Sequence, residues 1–191
     1  MDKAPLEPFL PTASWFAFQP HGIHGVPHVT RVLFWTAVLT RRVGQLEAVR
    51  WRELFWAAAV HDVARVDDGI DRGHGQRAAG WVEQHLAIKK PEVASLDVRF
   101  IAELCRWHEV ADQSIAQWCL ELMILKDADG LDRCRIWDLD PARLRLQASL
   151  SLVAPAERLE AATDAYGSQD APDTLRTATE MYSNLLGRAA R

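Results

Sequence analysis

Residues 54–69 read LFWAAAVHDVARVDDG, and this stretch decides how the chain folds. Residues 54–60 are apolar on every side, the mark of a helix buried inside a helical body. The run ends on His61-Asp62 and passes into VARVDDGIDRGHG, whose Asp-Gly and Gly-His-Gly steps demand turns. An imidazole and a carboxylate side by side at a helix end can be aimed at one cation, because both suit the same borderline metals. A chain with seven histidines holds roughly half of one such dipeptide by chance. The pair therefore needs support from the residues around it.

Upstream, Pro27 suits the first turn of a helix, and no breaker follows over residues 28–41. Val29, Val32, Leu33, Phe34, Trp35, Ala37, Val38 and Leu39 make that helix apolar on most sides, so it is predicted to be central and to carry His28 into the core. Gly44 is expected to end it, and a second helix to run from about Leu46 or Trp51 to His61. The proline-rich residues before it predict an irregular arm anchored by Phe9, Trp15, Phe16 and Phe18.

Downstream, a helix is expected to restart at Gln76, carrying Ala78, Ala79, Trp81, Val82 and Leu86, until Pro91 breaks the chain. Val98, Ile101, Cys105 and His108 follow at steps of three, four and three, so His108 points where the apolar face points. Ser114-Ile-Ala-Gln117 has the form of a capping box, predicted to open a helix toward Asp129 that Gly130 interrupts. Asp127 lies on the face of Leu120 and Met123, so periodicity does not decide which aspartate turns inward. A short turn over 131–137, helices over 141–153 and 155–166, and a last amphipathic helix through Leu175, Ala178, Met181, Tyr182 and Leu185 complete the reading. No alternating strand occurs, which predicts an all-α fold, a compact bundle of about seven to nine helices. A single domain over 1–191 is expected, with an arm over 1–20, a core over 21–137 and a helical extension over 138–191.

Hydrophobic residues at 49% and charged ones at 25% exclude disordered and fibrous classes. A net charge of -4 offers no basic excess for a nucleic-acid duplex, so a small diffusible substrate is the better fit. Cys105, Cys119 and Cys134 are odd in number and lack CxxC spacing, as reduced thiols of a cytoplasmic protein would be. The apolar runs VLFWTAVL and LFWAAAV are too short to span a bilayer, and MDKAPLEPFLP has no signal-peptide character. A soluble, cytoplasmic protein without a membrane partner is expected.

His28, then His61-Asp62, then Asp129 stand in an order that resembles the HD-domain superfamily of metal-dependent phosphohydrolases. The matching strings are HGVPHVTRV around His28, LFWAAAVHDVARVDDG around the dipeptide and ILKDADGLDR around Asp129, and the likeness covers residues 21–137. It implies that Asp129, rather than Asp127, is the last ligand. His74 in RGHGQRAAG and His108 in CRWHEV stand where two-metal members of the superfamily place further histidines. The implied cofactor is one or two divalent ions (Mn, Fe, Mg, Co or Ni). With two, Asp62 would bridge, with His28, His61 and Asp129 on one ion and His74 and His108 on the other.

The implied reaction is hydrolysis of a phosphomonoester or phosphoanhydride, of a nucleotide first of all, by a metal-bound hydroxide with Asp62 at its centre. Arg65 and Lys126 are the candidate catalytic and substrate-binding cations, and Arg31 a further substrate contact; each also reads as a partner for the site's own carboxylates. No Gly-Tyr-Pro follows His108, so cleavage of cyclic dinucleotides is not expected. His21, His24 and His85 read as bystanders. An HD-fold diiron oxygenase, which would need both His74 and His108, and a non-catalytic metal- or nucleotide-binding module are the alternatives.

Overall fold

A computed structural model describes residues 6–43, 48–163 and 170–187. Among them are nine α-helices and no strand: α1 (Val26–Arg42), α2 (Trp51–Val60), α3 (His74–Trp81), α4 (Ala87–Lys89), α5 (Val98–His108), α6 (Leu120–Asp132), α7 (Gln147–Leu150), α8 (Val153–Thr163) and α9 (Ala171–Gly187). The fold is all-α.

Helix α1 runs through the middle, buried from Val26 to Arg41. Thr30 and Thr40 are tolerated there because their hydroxyls donate to the carbonyls of Val26 and Thr36 at 2.8 and 2.7 Å. Helices α2, α6 and α9 lie against α1, and α5 lies against both α2 and α3. The approach of α3 to α5 needs Gly75, where a Cβ would stand 2.6 Å from the Cys105 carbonyl oxygen. One apolar cluster joins these helices and takes in the arm as well. Phe9 meets the edge of Phe55 at 5.4 Å and Trp15 lies 5.8 Å from Trp81, so the arm is stapled down by its aromatics. Burying the Phe9 ring alone contributes about 1.5–3 kcal/mol.

Helix boundaries depart from the sequence reading in several places. Gly44, Leu46 and Tyr166 lie outside the described residues. The third helix starts at His74, two residues before Gln76, because Glu109, the residue that follows α5, caps it: its carboxylate accepts from the N–H groups of Gly73 (3.2 Å) and Gly75 (2.8 Å). The Ser114 capping box does not form. That segment is held as an irregular wall by Asp112, bonded to Arg145 at 2.7 Å, and α6 opens only at Leu120. Gly130 does not interrupt α6, which continues to Asp132. The expected helix over 141–153 is a short 3-10 turn, Pro141–Arg143, followed by α7. No helix among the described residues is long and apolar enough to cross a membrane.

Candidate metal centre

The ends of α2 and α5 and the starts of α1 and α3 converge on His61-Asp62, and four imidazoles are anchored there alike. Nδ1 of His61, His74 and His108 stands 2.9, 2.7 and 2.6 Å from the carbonyl oxygens of Ala58, Asp71 and Cys105. Nδ1 of His28 stands 2.7 Å from Asp132 Oδ2. Carbonyl and carboxylate oxygens only accept, so each Nδ1 is the donor and each neutral ring keeps its lone pair on Nε2. Those lone pairs turn inward. The Nε2 atoms of His28 and His61 are 3.3 Å apart, and those of His74 and His108 are 3.0 Å apart.

Asp62 lies between the two pairs. Its Oδ2 is 3.6 Å from His28 Nε2, whereas its Oδ1 is 3.2 Å from His74 Nε2 and 3.5 Å from His108 Nε2. That Oδ1 is buried and accepts no well-aligned hydrogen bond. Asp129 Oδ1 reaches within 3.6 Å of His28 Nε2 and keeps 24% of its side chain open. Ligand atoms of His28, His61 and Asp129 lie within 4.8 Å of one another, and so do those of His61, Asp62 and His108. Facing acceptor nitrogens around an orphaned carboxylate oxygen are poorly satisfied by the protein alone, and this nitrogen and oxygen set suits a borderline divalent cation.

The electrostatics lean the same way. Burial would raise the Asp62 carboxyl, but the imidazoles of His61, His108, His24 and His28 outweigh it and hold the group well below the usual carboxylate range. Burial pushes His61 down to about 3, and burial with the neighbouring His108 lowers His74. Both are therefore neutral at physiological pH, the form that binds metal. His108 is the exception: burial lowers it, yet Asp62 and then Asp129 draw it upward.

The aspartates of α6 divide their work. Asp129 faces the imidazoles, while Asp127 is fully buried on another side of the helix. There it accepts from the backbone N–H of Arg145 and Leu146 and the hydroxyl of Ser149. It ties down the approach to α7. Asp132, which the sequence reading passed over, orients His28 and binds Arg31 through Nε at 2.6 Å and Nη2 at 3.0 Å.

A cleft of about 730 Å³ opens over the centre, lined by Asp62, Arg65, His74, His108, Lys126 and Asp129 among others. Arg65 Nη1 is 3.8 Å from Asp62 Oδ2, with Nε and Nη2 bonded to the carbonyls of Asp67 and Gly69. Lys126 lines the cleft, but its ammonium donates to the carbonyls of His108 (2.9 Å) and Val110 (2.6 Å) and pairs with Asp112. Its own chain occupies it. Arg31 does not line the cleft: it is 1% exposed and faces Asp132 and Thr163, so the substrate contact expected of it gives way to a structural ion pair. Arg72, not singled out from the sequence, is exposed on the cleft wall. His21 and His85 are exposed and outside the cleft lining. His24 is not a bystander in space, since its Nδ1 stands 2.9 Å from Asp62 Oδ2. Only the tight Pro20–Gly25 turn brings it there, and a loop without periodicity carries no signal of that.

Comparison of the chain with protein-family models, with curated proteins and with solved structures gives no match in any of the three.

Proposed function

We propose that the chain is a metal-dependent phosphohydrolase of the HD type, acting on a phosphomonoester or phosphoanhydride, with nucleotides the leading substrate class. The observation that carries this reading is the two-sided arrangement about Asp62. One carboxylate oxygen faces His28 and the other faces His74 and His108, at the base of a cleft of about 730 Å³, a volume suited to a small organic ligand. A divalent cation held there would supply Lewis acidity toward a phosphoryl oxygen and an activated water near neutral pH.

The chain's own groups do the rest. Asp62 stays ionised among its imidazoles and aligns them from both oxygens. Arg65, fixed by two carbonyls, presents Nη1 on the cleft side of Asp62, where negative charge on phosphoryl oxygens gains from a preorganised donor. Arg72 adds a further positive charge to the cleft lining. Lys126 acts as a brace for the wall rather than as a donor to substrate.

The same four histidines and two aspartates also suit a pair of irons, so a diiron oxygenase is the second reading. Phosphate release from a panel of phosphomonoesters and nucleotides, with each of Mn, Mg, Co and Ni, tests the first. Release that Asp62→Ala abolishes supports the hydrolase. No release with any ion, with oxygen uptake by the iron-loaded protein, selects the oxygenase; metal binding with neither leaves a binding module.

A further inference from the structure

The geometry points to His24 as a further metal ligand, acting through Nδ1 on the Oδ2 side of Asp62; this rests on the cation centre invoked for the proposed function. His28, His61, His74 and His108 fix Nδ1 on an acceptor and turn Nε2 inward. His24 is mounted the other way round. Its Nδ1 faces Asp62 Oδ2 at 2.9 Å, and its ring meets that of His28 edge-on, with centroids 5.7 Å apart. Ligand atoms of His24, His28 and Asp62 all lie within 4.8 Å of one another.

The loop that carries His24 is built to a tight tolerance. Val26 N–H donates to the Pro20 carbonyl at 2.7 Å and Gly25 N–H to that of Gly22 at 2.9 Å. A Cβ at Gly25 would stand 2.2 Å from the Pro20 oxygen, so only glycine closes this turn. Arg135 clamps it from the far side, donating Nε to the Ile23 carbonyl at 2.7 Å and Nη1 to the Asp132 carbonyl at 2.9 Å. Arg135 is a positioning residue.

The same guanidinium brings Nη2 to 3.0 Å from His24 Nδ1. One ring nitrogen holds either a proton or an in-plane lone pair, so it cannot donate to Asp62 and accept from Arg135 together. A cation shared with Asp62 Oδ2 resolves the conflict by taking that lone pair, while Arg135 keeps both carbonyl bonds. The Oδ2 side then gathers His24, His28, His61 and Asp129, against His74 and His108 on the Oδ1 side. The two sides differ in protein donors, and the Oδ2 side is the tighter.

Cobalt(II) titration of the full chain, followed by visible absorption and calorimetry, tests this. The expected result is a tight and a weaker event in the wild type. His24→Ala weakens the tight one at least about tenfold and alters its d–d spectrum, leaving the weaker one in place. His24→Gln, which can still hydrogen-bond to Asp62 but ligates poorly, is expected to match His24→Ala. A wild-type spectrum and affinity in either variant, with His61→Ala abolishing the tight event, overturns the assignment of His24 alone. No cobalt binding by the wild type overturns the cation centre and the proposed function with it.

Discussion

His28 and Asp132 are joined by a 2.7 Å hydrogen bond between α1 and α6, and the same carboxylate takes the Arg31 guanidinium at 2.6 Å. One buried aspartate thus aims a candidate ligand and neutralises a cation in the core. Asp132→Ala breaks the buried ion pair with Arg31 and removes the acceptor that sets the His28 ring. It is expected to cost about 3–5 kcal/mol in urea unfolding and to weaken metal binding about 10–100-fold. Wild-type stability and affinity together would contradict this role.

Acid sensitivity follows from the same residue. Burial would raise the Asp132 carboxyl, but Arg31 and then His28 hold it far below the usual range. The folded pKa lies below the unfolded value of about 4, so the contribution is complete above that value and is lost as pH falls through the folded one. Asp129, brought down to about 2 chiefly by His28 against the upward pull of burial, has the same sign. Urea unfolding of the metal-free chain is expected to show stability falling from about pH 4 downward, with a shallower slope in Asp132→Asn. An unchanged slope would show that the pair contributes nothing.

Asp127 and Asp129 separate fold from site. Asp127→Ala strands the half-buried N–H groups of Arg145 and Leu146 and the buried Ser149 hydroxyl, the last at about 1–3 kcal/mol for a buried group left unpaired. It is expected to lower stability strongly and leave metal stoichiometry intact, provided the assay is run where the variant is folded. Asp129→Ala is expected to lower metal stoichiometry sharply, with a smaller loss of stability than Asp127→Ala. Exchange of these two outcomes would move the ligand role to Asp127.

Gly75→Ala tests the distance between α3 and α5. The new Cβ would meet backbone oxygens of Cys105 and Arg106 at 2.6 and 3.0 Å, and backbone cannot yield cheaply. The helices must part, which separates His74 from His108. Lower stability, by about 1–3 kcal/mol, together with weaker binding on the Oδ1 side is expected; calorimetry with cobalt(II) measures the second. Unaltered binding would mean that His74 and His108 do not act together.

Most of this arrangement was legible in the chain. Apolar periodicity places His28 and His108 on inward faces, and the apolar run before His61 marks a buried helix end. Asp127 and Asp129 were not separable, because both fall on a helix buried on several sides and what decides between them is the later segment, 145–149, that lands on Asp127. Arg31 was legible as a cation near His28, but its partner comes from α6 and no local pattern reports it. His24 and Arg135 meet across a loop and a 3-10 turn, where there is no period to read.

The most direct test is metal content per chain, by elemental analysis of protein purified without chelator and again after metal is added back. About two divalent ions per wild-type chain are predicted, with sharp loss in His61→Ala and Asp62→Ala while their helical content is retained. A wild-type chain that holds no ion after metal is restored, or an Asp62→Ala chain that holds as many as the wild type, would contradict the account.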